Sequence, residues 1–302
     1  FEPLEIKKLA NRTRAYLKIQ DGCSQFCSYC IIPYARGPIR SRQPEDVITE
    51  VKRLAENGFK EVVLTGIHVA SYGKDLKTIT LTDIIRQVHE VEGIERIRFS
   101  SIEPNVVTEE FAAAMAELPK VCDHFHLSLQ SGCDKTLKEM NRKYDTEKYR
   151  QAAALLRKYL PDVAITTDII VGFPGETEED YQASRAFAEE IGFSKIHVFP
   201  YSPKKGTPAA ARKDQLQNAV KQERSHDLIT VSDRMTDAFL QKHVGKVMPV
   251  LFERCIGDDV YEGHTTNYMK VHARSTKDLS NVIADTKILS VAEEMAFGEV
   301  EA

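Results

Sequence analysis

From about Ala15 to Tyr201 the chain alternates between two spacings of apolar residues. Short stretches with every second residue apolar give way to stretches where apolar residues recur every three or four positions, the pattern of parallel strands joined by crossover helices. Six strands are expected: Ala15 to Gln20, Glu61 to Thr65, Arg96 to Ser100, Phe125 to Gln130, Val163 to Val171 and Lys195 to Pro200. Between the first two, Pro44 stands near a helix start, Val47, Ile48, Val51, Leu54 and Ala55 share one helical face, and Gly58 sits where a C-terminal cap belongs. Thr177-Glu178-Glu179-Asp180 has the form of a capping box opening another helix, which Gly192 ends.

Two of the strands carry a further pattern. Phe125, Leu127 and Leu129 fall on one face and His126, Ser128 and Gln130 on the other, just as Ile97 and Phe99 oppose Arg96, Arg98 and Ser100. A parallel strand buried on both faces is apolar throughout, so a polar face points to a lumen holding ligand or water, or to polar residues that satisfy one another. Six units are too few for a closed eight-stranded barrel, so an open, three-quarter (βα)6 TIM-like barrel is expected, with its ligands at the C-terminal ends of the strands.

After a polar, helix-prone stretch from Lys213 to about Lys242, the pattern changes to short β-rich segments. They run Val247 to Phe252, Val260 to Glu262, Tyr268 to Ala273 and Lys287 to Val291. A small all-β, OB-like barrel of about sixty residues fits them. The division expected is therefore 1–242, with a trailing helical linker at about 213–242, and 243–302. At 302 residues and 42% hydrophobic, the chain has material for one large domain and one small one, with no apolar run of membrane-spanning length and no signal peptide.

The chemistry concentrates in one loop. Cys23, Cys27 and Cys30 are spaced C-x3-C-x2-C, which supplies three thiolates to a cluster of four irons and leaves one iron open for a ligand. Structural zinc is the rival, but it takes four ligands, usually in two pairs, and no second Cys or His pair lies nearby. Half of a disulfide framework is another, and six cysteines with Cys122, Cys133 and Cys255 scattered do not form one. Those three read as small thiols, and exposed thiolates place the chain in a reducing cytoplasm. Tyr29, just before the third cysteine, either lies against a ligand of the open iron or packs as an ordinary loop tyrosine. His124, His126 and His197 lie on strands and receive no role.

The loop resembles that of the radical S-adenosylmethionine enzymes, which share this spacing and an aromatic before the last cysteine. Lys18 to Cys23 and Ile31 to Gly37 resemble the methylthiotransferases within that superfamily. So do Ser100-Ser101-Ile102-Glu103-Pro104, Leu127 to Gly132, Met140-Asn141-Arg142-Lys143-Tyr144 and Thr167 to Thr177, in the same order. The resemblance implies the partial barrel, a 4Fe-4S cluster on Cys23, Cys27 and Cys30, and S-adenosylmethionine as cofactor. It also implies roles. Thr65-Gly66 meets the amino group of the cofactor through backbone atoms, Gln130 and Asp168 reach its nucleoside part, and Tyr29 and Phe199 flank it. One electron from a donor then splits the sulfonium, and the 5'-deoxyadenosyl radical attacks an unreactive C-H bond where a methylthio group is installed. The family carries a second 4Fe-4S cluster on an additional N-terminal domain. Starting at Phe1 and reaching the cysteine loop after 22 residues, this chain reads as a fragment without that domain, and full activity is not expected of it.

The C-terminal segment Gly263 to Val271 resembles the TRAM domain, an RNA-binding module. Net charge is −4 and the rest of the small domain is acidic, which argues against a nucleic acid. Locally the balance reverses. Residues 12–42 hold Arg12, Arg14, Lys18, Arg36, Arg40 and Arg42 against Asp21 alone, and Lys270, Arg274 and Lys277 follow His264 without an acid. Arg36, Arg40, Arg142 and Lys270 are candidates for RNA contact and Tyr268 for a stacking platform; solvated surface charge is the plain alternative. The wording Gln20 to Cys27 most resembles methylthiotransferases acting on N6-threonylcarbamoyladenosine, the unpaired tRNA base beside the anticodon. Relatives acting on isopentenyladenosine or on a ribosomal-protein aspartate are the rivals, and a non-catalytic RNA-binding protein with a structural cluster is the alternative of another class.

Overall fold

The computed structural model describes residues 13–301; Arg12 lies outside them. The chain runs through β1 (Arg14–Asp21), α1 (Ile32–Arg36), β2 (Arg40–Ser41), α2 (Pro44–Glu56), β3 (Glu61–Gly66), α3 (Leu81–His89), β4 (Arg96–Phe99) and α4 (Glu109–Ala116). It continues with β5 (His124–His126), α5 (Asp134–Glu139), α6 (Thr146–Tyr159), β6 (Ala164–Val171), α7 (Glu178–Ile191), β7 (Lys195–Pro200) and α8 (Asn218–Gln241). All six expected strands are present and parallel, in sequential order around an open wall. Outward residues such as Leu17, Ile19, Val62, Leu64, Ile97, Phe125 and Ile169 form one core with the helices. The Thr177 to Asp180 capping box forms, and Gly192 ends α7 in the left-handed region at φ 66°.

The wall has a joint between β4 and β5, bridged at Ile97 to Val121 and at Ile102 to Leu127 instead of by a continuous ladder. The fourth strand, expected to reach Gln130, ends its ladder at His126. Gln130 has φ 73°, outside the range of a regular strand, and bridges Ile169 alone.

The C-terminal part is a closed barrel of β8 (Val247–Gly257), β9 (Val260–Thr265), β10 (Lys270–Arg274), β11 (Val282–Ala292) and β12 (Met295–Val300), in the order β10-β12-β11-β8-β9. The fifth strand was not expected from the sequence. Its hairpin turns on Glu293-Glu294, both at positive φ, where Asn-Gly is the usual signal.

The polar faces do line a lumen, and the small barrel forms its floor. Arg98 Nε and Arg14 Nε each lie 3.0 Å from Glu61 Oε1. Burial by itself raises the Glu61 carboxyl, but Arg98 and Arg14 more than reverse this and leave it below the ordinary carboxylate value. The remaining guanidinium protons go to the other domain: Arg96 donates to the carbonyls of His264 and Pro249 at 2.8 Å each, and Arg98 to that of Thr266 at 3.0 Å. Arg14 pairs with Glu253 and donates to the Tyr268 hydroxyl at 3.2 Å. Tyr268, expected as a base platform, is 39% exposed at the edge of this contact, and its ring is already engaged by protein groups. Its ring stacks on His124 and on His264, at 4.8 Å in each case, with the Arg98 and Arg14 guanidiniums 4.6 and 5.1 Å from its centre. A cavity of about 450 Å³ remains between the barrels, lined by His124, His126, His197, Lys195, Tyr268 and Lys270 among others.

Two outcomes follow from this floor. Truncation after Lys242 strips acceptors from three buried guanidiniums, and the shortened chain should lose its cooperative thermal transition; an unchanged melting curve would refute a structural role. Burial also holds His124, and to a lesser degree His264 and His243, below the ordinary value of 6.5, so the unfolded chain binds more protons than the folded one under acid. Stability should be complete above about pH 6.5 and decline as pH falls below it, read as a falling urea midpoint between pH 7.5 and 5.5.

Candidate cluster and cofactor site

The cysteine loop leaves β1 at its C-terminal end and is held there by contacts with the protein itself. Gln20 is buried and fully engaged: Nε2 donates to the carbonyls of Asp21 and Gly22 at 2.7 Å, and Oε1 accepts from the His68 amide at 2.8 Å. Gly66, at the end of β3, has to be glycine because a Cβ there would lie 2.8 Å from Gln20 Oε1. Gly22, at φ 70°, turns the chain so tightly that a Cβ would overlap the Pro38 carbonyl oxygen. The loop closes through the Cys23 amide on Gly37 O at 3.1 Å. Its middle is tied to the segment after α5, with Ser28 N donating to Met140 O at 3.0 Å and Asn141 Nδ2 to Phe26 O at 2.8 Å.

Cys27 is buried, Cys23 and Cys30 are half-buried, and none is in a disulfide. Burial pushes the Cys23 and Cys30 thiols up, so a bound metal has to supply the charge that makes them thiolates. Among the described residues no three His, Cys, Asp or Glu side chains converge tightly enough for a single ion. Three unbridged thiols on one loop at C-x3-C-x2-C spacing fit the three-thiolate donor set of a 4Fe-4S cluster.

Arg142 requires a correction. Read from the sequence as an RNA contact, its side chain is only 7% exposed and lies beneath the loop. It donates to Cys27 Sγ at 3.2 Å, to Glu103 Oε1 at 2.9 Å and to the Tyr144 hydroxyl at 2.9 Å. Glu103, which sequence reasoning passed over, joins this to the rest: its Oε2 meets His68 Nε2 at 3.1 Å and Gln25 Nε2 at 3.3 Å. Burial raises the Glu103 carboxyl, and the His68 hydrogen bond and the Arg142 charge reverse that, leaving it ionised below the ordinary range. The signal available was the Glu-Pro pair just past β4.

The remaining expected residues fall in two groups at the C-terminal mouth. Thr65 and Gly66 adjoin Gln20 beside the cysteine loop. Across the lumen, the Gln130 amide donates to Asp168 O at 2.8 Å, and Phe199 pairs with Ile170 along β7 with its ring half-exposed. Tyr29 packs edge-on against Phe173 at 6.5 Å, beside Met140 and Tyr201. The histidines left without a role line the lumen below: Asp168 Oδ2 lies 3.2 Å from His126 Nε2, and Thr166 Oγ1 meets both His126 and His124. Arg36 and Arg40 are exposed beside the loop, Arg40 at 3.4 Å from Asp21. The basic stretch is weaker than its count, since Arg14 is buried on Glu61 and Arg42 lies 2.6 Å from Glu50. Lys270 faces the cavity between the barrels, 3.7 Å from Glu262.

The Radical SAM superfamily profile matches residues 17–188. The threonylcarbamoyladenosine tRNA methylthiotransferase MtaB of Bacillus subtilis is 42% identical over 294 residues, 96% of this chain and 65% of that protein. A tRNA-2-methylthio-N(6)-dimethylallyladenosine synthase of Thermoanaerobacter is 42% identical over 302 residues, 99% of this chain and 64% of that protein. The chain thus spans just under two thirds of the curated relatives it matches. Among solved structures, the radical S-adenosylmethionine methyltransferase TsrM from Kitasatospora setae superposes with a TM-score of 0.54 at 17% identity, covering 65% of this chain and 38% of that one, a likeness of fold.

Replacing Arg142 with leucine leaves Glu103 buried beside an unpaired thiol. The iron-free protein should lose on the order of 3 kcal/mol in urea unfolding, and Glu103→Gln in the same background should recover part of it. Equal stability of the single variant and the unaltered chain would show that the pair does not hold the loop.

Proposed function

This chain belongs to the radical S-adenosylmethionine superfamily, and from that premise we propose that it is the cofactor-cleaving part of a tRNA methylthiotransferase. Its target on this reading is C2 of N6-threonylcarbamoyladenosine beside the anticodon. The observation that carries the reading is the loop of three unbridged thiols, closed on itself and anchored over the C-terminal mouth of a six-stranded open barrel. The similarity to MtaB along nearly the whole chain supports the substrate class.

Cys23, Cys27 and Cys30 would hold a 4Fe-4S cluster, which when bound supplies the electron that splits the sulfonium of S-adenosylmethionine. The protein's part is position and exclusion of water. The Thr65-Gly66 backbone receives the cofactor's amino group, Gln130 and Asp168 its ribose hydroxyls, and Tyr29 and Phe199 its adenine. Arg142 donates to Cys27 Sγ and holds that ligand in position. Arg36 and Arg40, exposed at the mouth, contact phosphates of the RNA. A second cluster, an electron donor and the sulfur source belong to parts of the system outside these residues. The small barrel is a TRAM-type module in this reading, in a protein of the cytoplasm.

A second reading has a specific observation behind it: a dimethylallyladenosine synthase matches this chain at the same 42% identity. Nucleoside mass spectrometry separates the two. Installed behind the family's N-terminal domain and supplied with tRNA, the chain should yield methylthiolated threonylcarbamoyladenosine; methylthiolated dimethylallyladenosine alone would transfer the assignment. The chain by itself, loaded anaerobically with iron and sulfide and given S-adenosylmethionine and dithionite, should release 5'-deoxyadenosine. Cys27→Ala should bind no cluster and release none while keeping its helical circular dichroism. A fully loaded chain that leaves the cofactor intact would defeat the enzymatic reading.

A further inference from the structure

Phe26, between the first two cysteines, adopts φ 52°, a left-handed conformation that bulky residues avoid. The turn is forced from both sides, by Asn141 on the Phe26 carbonyl and by Met140 O on the Ser28 amide. The result is a phenyl ring 48% exposed on the face of the loop, where burial ordinarily takes such a ring. Tyr34 of α1, 59% exposed, meets it edge-on at 5.6 Å. Strain that holds an apolar ring in water marks a place where something else covers it. The surroundings choose the occupant. Tyr34 is followed two residues on by exposed Arg36, and Arg40 caps the Arg36 carbonyl at 2.9 Å. Lys18 and Arg40 both pair with Asp21, and the side chains of Arg36 and Arg40 are exposed beside the rings.

We propose that Phe26 and Tyr34 form an aromatic step at the mouth that stacks on an unpaired nucleobase neighbouring the target, with Arg36 on the adjoining phosphate. The inference rests on the tRNA reading above and adds to it the residues that hold the loop open. Stacking accepts any base, so the step would splay the RNA loop without choosing its sequence.

The test uses this chain and a synthetic anticodon stem-loop RNA with 2-aminopurine beside the target adenosine. Binding should quench the 2-aminopurine, and Phe26→Ala and Tyr34→Ala should each abolish the quench and raise Kd about tenfold, with the salt dependence of Kd unchanged. Arg36→Ala should instead flatten that dependence by about one phosphate contact. Phe26→Tyr and Tyr34→Phe should restore the quench, and iron content guards against a collapsed loop. Unchanged Kd and quench in both alanine variants would overturn the proposal and leave the rings to a protein surface. A flattened salt dependence in them would overturn stacking as the mode. Failure of the unaltered chain to bind the RNA would overturn the tRNA reading, and this inference with it.

Discussion

Inside the barrel the Glu61 carboxylate lies 3.0 Å from two guanidiniums and 4.0 Å from a third, and one carboxylate cannot satisfy three buried arginines. The small barrel completes the set, with backbone carbonyls of residues 249, 264, 265 and 266 for Arg96 and Arg98 and with the Glu253 carboxylate and Tyr268 hydroxyl for Arg14. The two domains are therefore joined by the cost of leaving charge unpaired, which is far steeper than that of separating two apolar faces. An open barrel with a charged lumen needs a floor. Here a folded domain provides it, and the large barrel's C-terminal mouth is left as the accessible end.

That mouth carries a loop tied to the protein along its length. Gly22, Gln20 and Gly66 set the path of the chain, while Met140, Asn141 and Ala209 tie down its middle. Arg142 and Glu103 extend the support beneath Cys27, so the ligand thiols sit on a polar network that is itself satisfied. Rigidity of this kind is what places a reactive ligand reproducibly, because little ordering entropy is left to lose on binding. The exposed ring of Phe26 is a by-product of the same anchoring.

Much of this was legible in the chain. Period-two and period-3.6 spacing located all six parallel strands, the Thr177 capping box and the helix opened by Pro44, since side-chain alternation is a local property. The polar faces of the strands at Arg96 and Phe125 do point inward, but Arg96 and Arg98 are engaged by Glu61 and by small-barrel carbonyls, the mutual satisfaction that was the plain alternative. The cysteine spacing announced the candidate ligands. Less legible were the end of the fourth strand, where Gln130 turns left-handed, and the fifth strand of the small barrel, whose hairpin uses Glu293-Glu294 in place of glycine.

Residue identity and spacing thus determined the elements, the lumen and the thiol set, because each depends on neighbours within a few positions. Which charges meet was decided only by the tertiary structure. Arg142, Tyr268 and the arginines at 14, 96 and 98 look in the sequence like groups reaching for a partner. Their partners are Cys27, Glu103, Glu61, Glu253, two imidazoles and the carbonyls of another domain, and Arg14 and Tyr268, 254 residues apart, meet each other. A side chain's charge is written in the chain, but its burial and its counter-charge depend on which distant segments pack against it.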